Sequence, residues 1–254
     1  MIEQSQAGKT QSPSLQQKRI VISGGTTGIG RAIAMLLASQ GARVLIFGRH
    51  KPELDDAINA VRQAGGGEVF GLTADTSRKE DIEQVFAMAD RELGGVDILI
   101  NSAALPAQSI VDTSYEEQQY VVGTNLIGYM AMAQQAIQRM KPKGSGHIVF
   151  VGSMSADVRE KGNSLYVATK GGIQALAEAL RKEVNEAGIK VSLIEPGEVG
   201  SDMNQLSPPE QREKQAELAQ LKAEDIAECV LFCLNQPPRV DIIDLQVRPH
   251  KQLI

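Results

Sequence analysis

Short apolar runs of strand length alternate along the chain with stretches in which apolar residues recur every three or four positions. The strand candidates are Arg19–Ser23, Arg43–Gly48, Glu68–Asp75, Val96–Asn101, His147–Ser153, Lys190–Glu195 and Val240–Val247. Between the first two, Ile29, Ile33, Leu36 and Leu37 keep helical spacing, and Gly41 supplies a left-handed stop. Pro52 suits a first helical turn ahead of Leu54, Ala57, Ile58 and Val61. Ser77 with Glu80 reads as a capping box before Ile82, Val85, Phe86 and Ala89. Strands that are apolar on both faces need cover on both. The pattern therefore predicts an α/β fold, one doubly wound domain with a seven-stranded parallel sheet, helices on both faces and right-handed crossovers.

Residues 1–18 carry almost no apolar side chain and are expected to form a flexible polar tail, with 19–254 as a single domain. At 254 residues, 42% of them hydrophobic, the chain is long enough for one sizeable core. A net charge of -5 without a basic run argues against nucleic acid as a partner. No apolar run is long enough to cross a bilayer, and residues 1–19 lack the apolar stretch of a secretory signal. A cytoplasmic protein without membrane contact is expected. Cys229 and Cys233, four apart in what reads as one helix, cannot build a disulfide framework and should be reduced and buried. His50, His147 and His250 are scattered and no metal-ligand spacing occurs, so no metal site is expected.

The first strand runs directly into Ser23-Gly24-Gly25-Thr26-Thr27-Gly28-Ile29-Gly30, and a helix follows. Glycines at 24, 28 and 30 permit a tight turn, let backbone N–H groups approach a pyrophosphate and set that anion on the positive end of a helix. Further along, Tyr166 and Lys170 stand four apart, hence on one helical face. Ser153 lies thirteen residues before Tyr166, at the carboxyl end of a strand, where open α/β sheets place their ligands. Ser155 is the competing hydroxyl, ranked lower on spacing.

The G-x-x-x-G-x-G spacing of the turn resembles the short-chain dehydrogenase/reductase family, and the resemblance extends over nearly all of residues 18–203. Asn101-Ser102-Ala103-Ala104 looks like the family's Asn-Asn-Ala-Gly segment, with departures at Ser102 and Ala104. Asp75, followed by Thr76, matches the aspartate that holds the adenine. Pro196-Gly197, Val199 and Ser201 resemble the loop that grips the nicotinamide carboxamide, with Ser201 where threonine is usual. Ser153, Tyr166 and Lys170 match the family's catalytic set, and Asn125 its fourth member.

The resemblance implies a Rossmann-type enzyme that moves a hydride between nicotinamide and a small alcohol or carbonyl. Tyr166 would be the general acid/base and Ser153 the holder of the substrate oxygen. Lys170 would bind the nicotinamide ribose and favour phenolate, and Asn125 would fix a water that links Lys170 to solvent. Cofactor contacts are expected from Gly24, Thr26, Thr27, Gly28, Ile29, Gly30, Arg49, His50, Asp75, Thr76, Asn101, Ala103, Tyr166, Lys170, Pro196, Gly197, Val199 and Ser201. The second strand ends in Gly48-Arg49-His50, with glycine where a carboxylate would accept the ribose hydroxyls of NAD. The neighbouring Arg49 suits a 2′-phosphate, which favours NADP(H) over NAD(H).

The carboxyl end, Pro237 to Pro249, resembles the subgroup of NADP-dependent hydroxy-acid, serine and clavulanate-type dehydrogenases. Family members are commonly homo-oligomers, so a dimer or homotetramer is expected, and the helix Tyr129–Met140 would permit it. A 3-ketoacyl-type reductase, an epimerase or dehydratase on the same fold, and a nucleotide-binding regulator without catalysis are the competing readings. Substrate choice should lie between Val199 and Leu221 and near Met154 and Val158.

Overall fold

The computed structural model describes residues 14–201 and 206–253. Its elements run β1 (Arg19–Ser23), α1 (Gly28–Ser39), β2 (Arg43–Gly48), α2 (Lys51–Ala64), β3 (Val69–Thr73), α3 (Lys79–Met88), β4 (Ile98–Asn101), α4 (Tyr115–Val122) and α5 (Gly128–Met140). There follow β5 (Gly146–Val151), a short α6 (Ser155–Val158), α7 (Ser164–Val184), β6 (Ile189–Pro196), α8 (Pro208–Ala216), α9 (Ala223–Leu234) and β7 (Asp244–Val247). All seven strands are parallel, in the order β3-β2-β1-β4-β5-β6-β7.

Alternation along the strands divides the core in two. Ile20, Ile22, Val44 and Ile46 face α1, α2 and α9, meeting Ile33, Leu37, Leu54, Ile226 and Val230. Val21, Leu45, Leu99 and Phe150 face α3, α5 and α7, meeting Phe86, Tyr129, Met132 and Ile173. Ser23 pairs with Phe47 on one side and Asn101 on the other, which brings the carboxyl ends of β1, β2 and β4 level. After β3 the chain returns to the opposite side of β1 as β4. That reversal opens a crevice above the carboxyl ends.

Several local expectations shift. The tail does not run to residue 18, because Leu15 is buried in the first core and the Gln17 N–H donates to the Gly41 carbonyl. Residues 1–13 lie outside the described residues. The Ser77–Glu80 capping box does not form, since α3 begins at Lys79 and both the N–H and hydroxyl of Ser77 donate to Asp75 Oδ1. The aspartate two residues back takes both Ser77 protons in a local turn and draws the side chain away from the helix N–H groups it would have capped. Working capping pairs occur instead at Ser114 with Glu117 and Ser207 with Glu210. The last strand is shorter than Val240–Val247, because residues 240–243 lie before the pairing with β6 begins at Leu193 and Asp244. Gly41 has a φ of 84°, as the helix stop required. Cys233 is buried as expected, but Cys229 is only half-buried, and both are free thiols. No helix among the described residues is long and apolar enough to cross a membrane.

Candidate active site

The turn after β1 is held by contacts that leave no room for side chains. Gly24 has a φ of 65°, and a Cβ there would lie 2.8 Å from the Ala103 Cα, while one on Gly30 would lie 2.2 Å from the Gly24 carbonyl oxygen. The Ser23 hydroxyl accepts from the N–H groups of Ser102 at 3.0 Å and Ala103 at 3.1 Å, clipping the loop after β4 to this turn. A cavity of about 210 Å³ lies at the amino end of α1. Gly24, Thr26, Thr27, Gly28, Ile29, Gly30, Arg49, His50, Asp75, Thr76 and Ala103 line it together with Ser201. Asn101 does not join them. It is fully buried, its Nδ2 donates to the Tyr129 carbonyl at 3.2 Å, and its Oδ1 accepts from Ser23 at 3.4 Å, so it ties β1 and β4 to α5.

Gly48 is fixed by packing as well, because a Cβ there would come within 2.4 Å of Thr26 Oγ1. An acidic side chain at 48 would have to push the Thr26 side chain of the glycine turn aside. Arg49 is exposed but engaged. Its Nη1 donates to the Tyr120 hydroxyl at 2.7 Å, and that hydroxyl donates to Asp75 Oδ2 at 2.7 Å. Burial works against the charge of Asp75, but donors from Ser77 and Tyr120 and the nearby Arg49 hold its carboxyl below the usual range. Tyr120, on α4, thus joins the two groups expected to meet the adenosine end of a dinucleotide. The sequence reading missed it.

Ser153, Tyr166 and Lys170 share one cavity with Pro196, Gly197, Val199 and Ser201, next to the glycine-turn cavity, with which it has Ile29, Ser102, Ala104 and Ser201 in common. Tyr166 and Lys170 lie one turn apart on α7, and the lysine Nζ is 5.5 Å from the phenol ring centre. Lys170 is 2% exposed, and its ammonium donates to the Val151 carbonyl at 3.0 Å, an oxygen that also accepts from Tyr129 at 3.2 Å. Burial pulls its pKa down to about 8, against the opposing field of Glu195. Tyr166 moves the other way. Burial raises its phenol above 10, the Ser153 hydrogen bond lowers it, and the Glu160 charge raises it again.

Ser153 Oγ accepts the Ser155 N–H at 3.2 Å and is hydrogen-bonded to the Tyr166 phenol, which brings the two hydroxyls together in the cleft. Ser155 itself is committed elsewhere, donating to Glu160 Oε1 at 2.7 Å. Asn125 sits in a π-helical turn, Gly123–Ile127, between α4 and α5. Such one-turn widenings recur at functional sites. Its amide pairs with the Leu105 backbone, accepting at 2.7 Å and donating at 2.9 Å. It holds the loop after β4.

The model of the short chain dehydrogenase family matches residues 18–212. This chain belongs to that family. An oxidoreductase of Staphylococcus aureus, itself uncharacterized, is 34% identical over 236 residues, covering 92% of this chain and 98% of its own. Among solved structures, an alcohol dehydrogenase from Thermococcus sibiricus complexed with 5-hydroxy-NADP superposes with a TM-score of 0.85 at 27% identity, over 93% of this chain and 98% of that one. A short chain dehydrogenase from Burkholderia cenocepacia in complex with NADP gives 0.82 at 26% identity, over 93% and 98%.

One buried group of this short chain dehydrogenase escaped the sequence reading altogether. Glu195, at the end of β6, is fully buried with Oε1 unpartnered, and Gln246 reaches Oε2 at 3.3 Å. Burial and the carboxylates of Asp244 and Asp157 push its pKa up to about 7. The folded protein therefore binds a proton between pH 4.5 and 7 that the unfolded chain does not, and stability falls as pH rises through that window. Glu195→Gln should raise stability by about 2 kcal/mol at pH 8, or several degrees in Tm, and change little near pH 4.5. Thermal melts of both proteins at the two pH values check this; a variant no more stable at pH 8 would refute it.

Proposed function

We propose that this family member is an NADP(H)-dependent oxidoreductase acting on a small alcohol or carbonyl compound, with Tyr166 as its general acid/base. The observation that carries the reading is the junction of two cavities, one built from the glycine turn and the amino end of α1, the other from Ser153, Tyr166 and Lys170. A pyrophosphate fits the first by chemistry, because unencumbered backbone N–H groups and the helix end both favour an anion. Bound there, the cofactor supplies or accepts the hydride.

The remaining work falls to this chain's own groups. Tyr166 gives or takes the proton of the substrate oxygen, and Ser153 donates its hydroxyl proton to that oxygen as charge develops. Lys170, released from the Val151 carbonyl, binds ribose hydroxyls and brings a positive charge toward the phenol, countering the burial that opposes phenolate. Asn125 keeps the loop after β4 in register beside them. The intact set of proton-handling residues supports an enzyme over a nucleotide-binding regulator. Exposed apolar residues on α9 and beside β7, Phe232 and Ile243, support a homo-oligomer, either a dimer or a tetramer.

Arg49 and the steric block at Gly48 support NADP(H) over NAD(H). Because Arg49 must exchange its Tyr120 contact for a 2′-phosphate, the gain falls at the lower end for a charge-assisted bond. Arg49→Ala should weaken NADPH about tenfold and leave NADH within about twofold. Dissociation constants for both cofactors at one ionic strength decide the matter. Equal losses would make Arg49 structural, and a wild-type preference for NADH would overturn the cofactor assignment.

A further inference from the structure

Two cavities open on either side of Tyr166, of about 650 Å³ toward α4 and about 680 Å³ toward α8, and Glu160, Asn163 and Tyr166 line both. Their charges are one-sided. The first adds Asp112 and Glu117 to Glu160, and the second adds Glu198 with Lys214, whose ammonium is already paired to Glu198 at 2.8 Å. Among the described lining residues there is no other cation. The remaining polar lining, including Gln108, Thr113 and Gln252, is uncharged.

Glu160 is the acidic group whose charge acts on Tyr166. Arg159 adopts a left-handed φ of 55° just before it, a conformation a non-glycine residue holds only when its surroundings impose it. Ser155 and Asn163 donate to Oε1 at 2.7 and 3.1 Å, while Oε2 lies buried under the wall without a donor. Two neutral donors orient this carboxylate and leave its charge uncompensated. Burial works against that charge, yet the donors keep the carboxyl ionised below its usual range, and its field reaches the Tyr166 phenol. The cleft is open and Asp112 and Glu117 are exposed, so half-buried Glu160 supplies most of this field, which weakens as salt is added.

We infer that the cleft selects against anionic substrates and takes a small polar compound whose group beside the reacting carbon is a hydroxyl or an ammonium. A carboxylate or phosphate there would meet Glu160, Asp112 and Glu117 with no free cation to receive it, whereas an ammonium would offset the charge that opposes phenolate. This rests on the oxidoreductase reading and narrows it, setting the chain apart from hydroxy-acid dehydrogenases and from reductases of acyl groups on acidic carriers.

Three ligands of one skeleton provide the test: 1-amino-2-propanol, 1,2-propanediol and lactate, titrated into the full-length protein with NADPH bound, which cannot accept a hydride from them, and read by thermal shift. The amine should bind at least about tenfold tighter than lactate, with the diol between them, and Glu160→Gln should bring the three within about threefold. Lactate bound as tightly as the amine, a preference that survives in Glu160→Gln, or no response to any of the three would each overturn the inference. The wild-type comparison stands whatever the stability of the variant. Binding is read here without turnover, so loss of this preference leaves the role of Tyr166 intact, and a Tyr166→Phe enzyme that still turns over would sink the catalytic reading alone.

Discussion

Tyr166→Phe should reduce turnover by about a thousandfold or more while leaving NADPH affinity within about twofold, the range expected when a positioned acid/base is removed. The substitution deletes one hydroxyl and keeps the ring that packs 5.5 Å from the Lys170 Nζ. Ser153 loses its hydrogen bond to Tyr166 but still accepts from the N–H of Ser155, and its hydroxyl lines an open cavity where it can turn to another partner, so the melting temperature should fall only slightly. Single-turnover kinetics at saturating NADPH, with a melt to confirm folding, give the answer. A rate near wild type would remove Tyr166 from the chemistry.

Lys170→Met should separate stability from function. The buried ammonium is held at a pKa of about 8 against 10.5 in the unfolded chain, so its charge costs the fold about 3 kcal/mol below pH 8. That penalty fades as pH rises from 8 to 10.5, where the folded state has already released the proton. Methionine fills similar space without charge, and the Val151 carbonyl keeps the Tyr129 hydroxyl as donor. The variant should therefore be at least as stable as wild type at pH 7 and gain nothing at pH 10.5. It should nonetheless bind NADPH about tenfold more weakly, turn over at least about a hundredfold more slowly and reach its best oxidation rate at higher pH. Melts at both pH values, a cofactor titration and a pH–rate profile test the three parts separately. An unchanged profile and affinity would deny Lys170 both roles.

The parts of the site legible in the sequence are those that sit close together along it. The turn from Gly24 to Gly30 is one stretch of chain, and Tyr166 with Lys170 is one turn of one helix. The capping box at Ser77 shows the limit even of local reading, since the hydroxyl that would have accepted a helix N–H donates instead to Asp75 two residues back. Tyr120 was invisible because its partners, Asp75 and Arg49, lie 45 and 71 residues away. Nothing in the pattern around Glu160 says that its carboxylate is oriented by Ser155 and faces Tyr166, since Ser155 read only as a rival to Ser153.

By itself the sequence determined the alternation of strand and helix, hence a parallel sheet covered on both faces, because periodicity and turn chemistry act over a few residues. It determined the phosphate-binding turn for the same reason, a backbone that only glycine can follow at Gly24. The tertiary structure alone decided the rest. It buried Lys170 and Glu195, turned Asn125 onto the Leu105 backbone and Asn101 into the core, linked Arg49 to Asp75 through Tyr120, and left Glu160 charged beside the phenol. Charge, solvation and hydrogen bonding between groups depend on distance and burial in space, and neither is written in the order of residues along the chain.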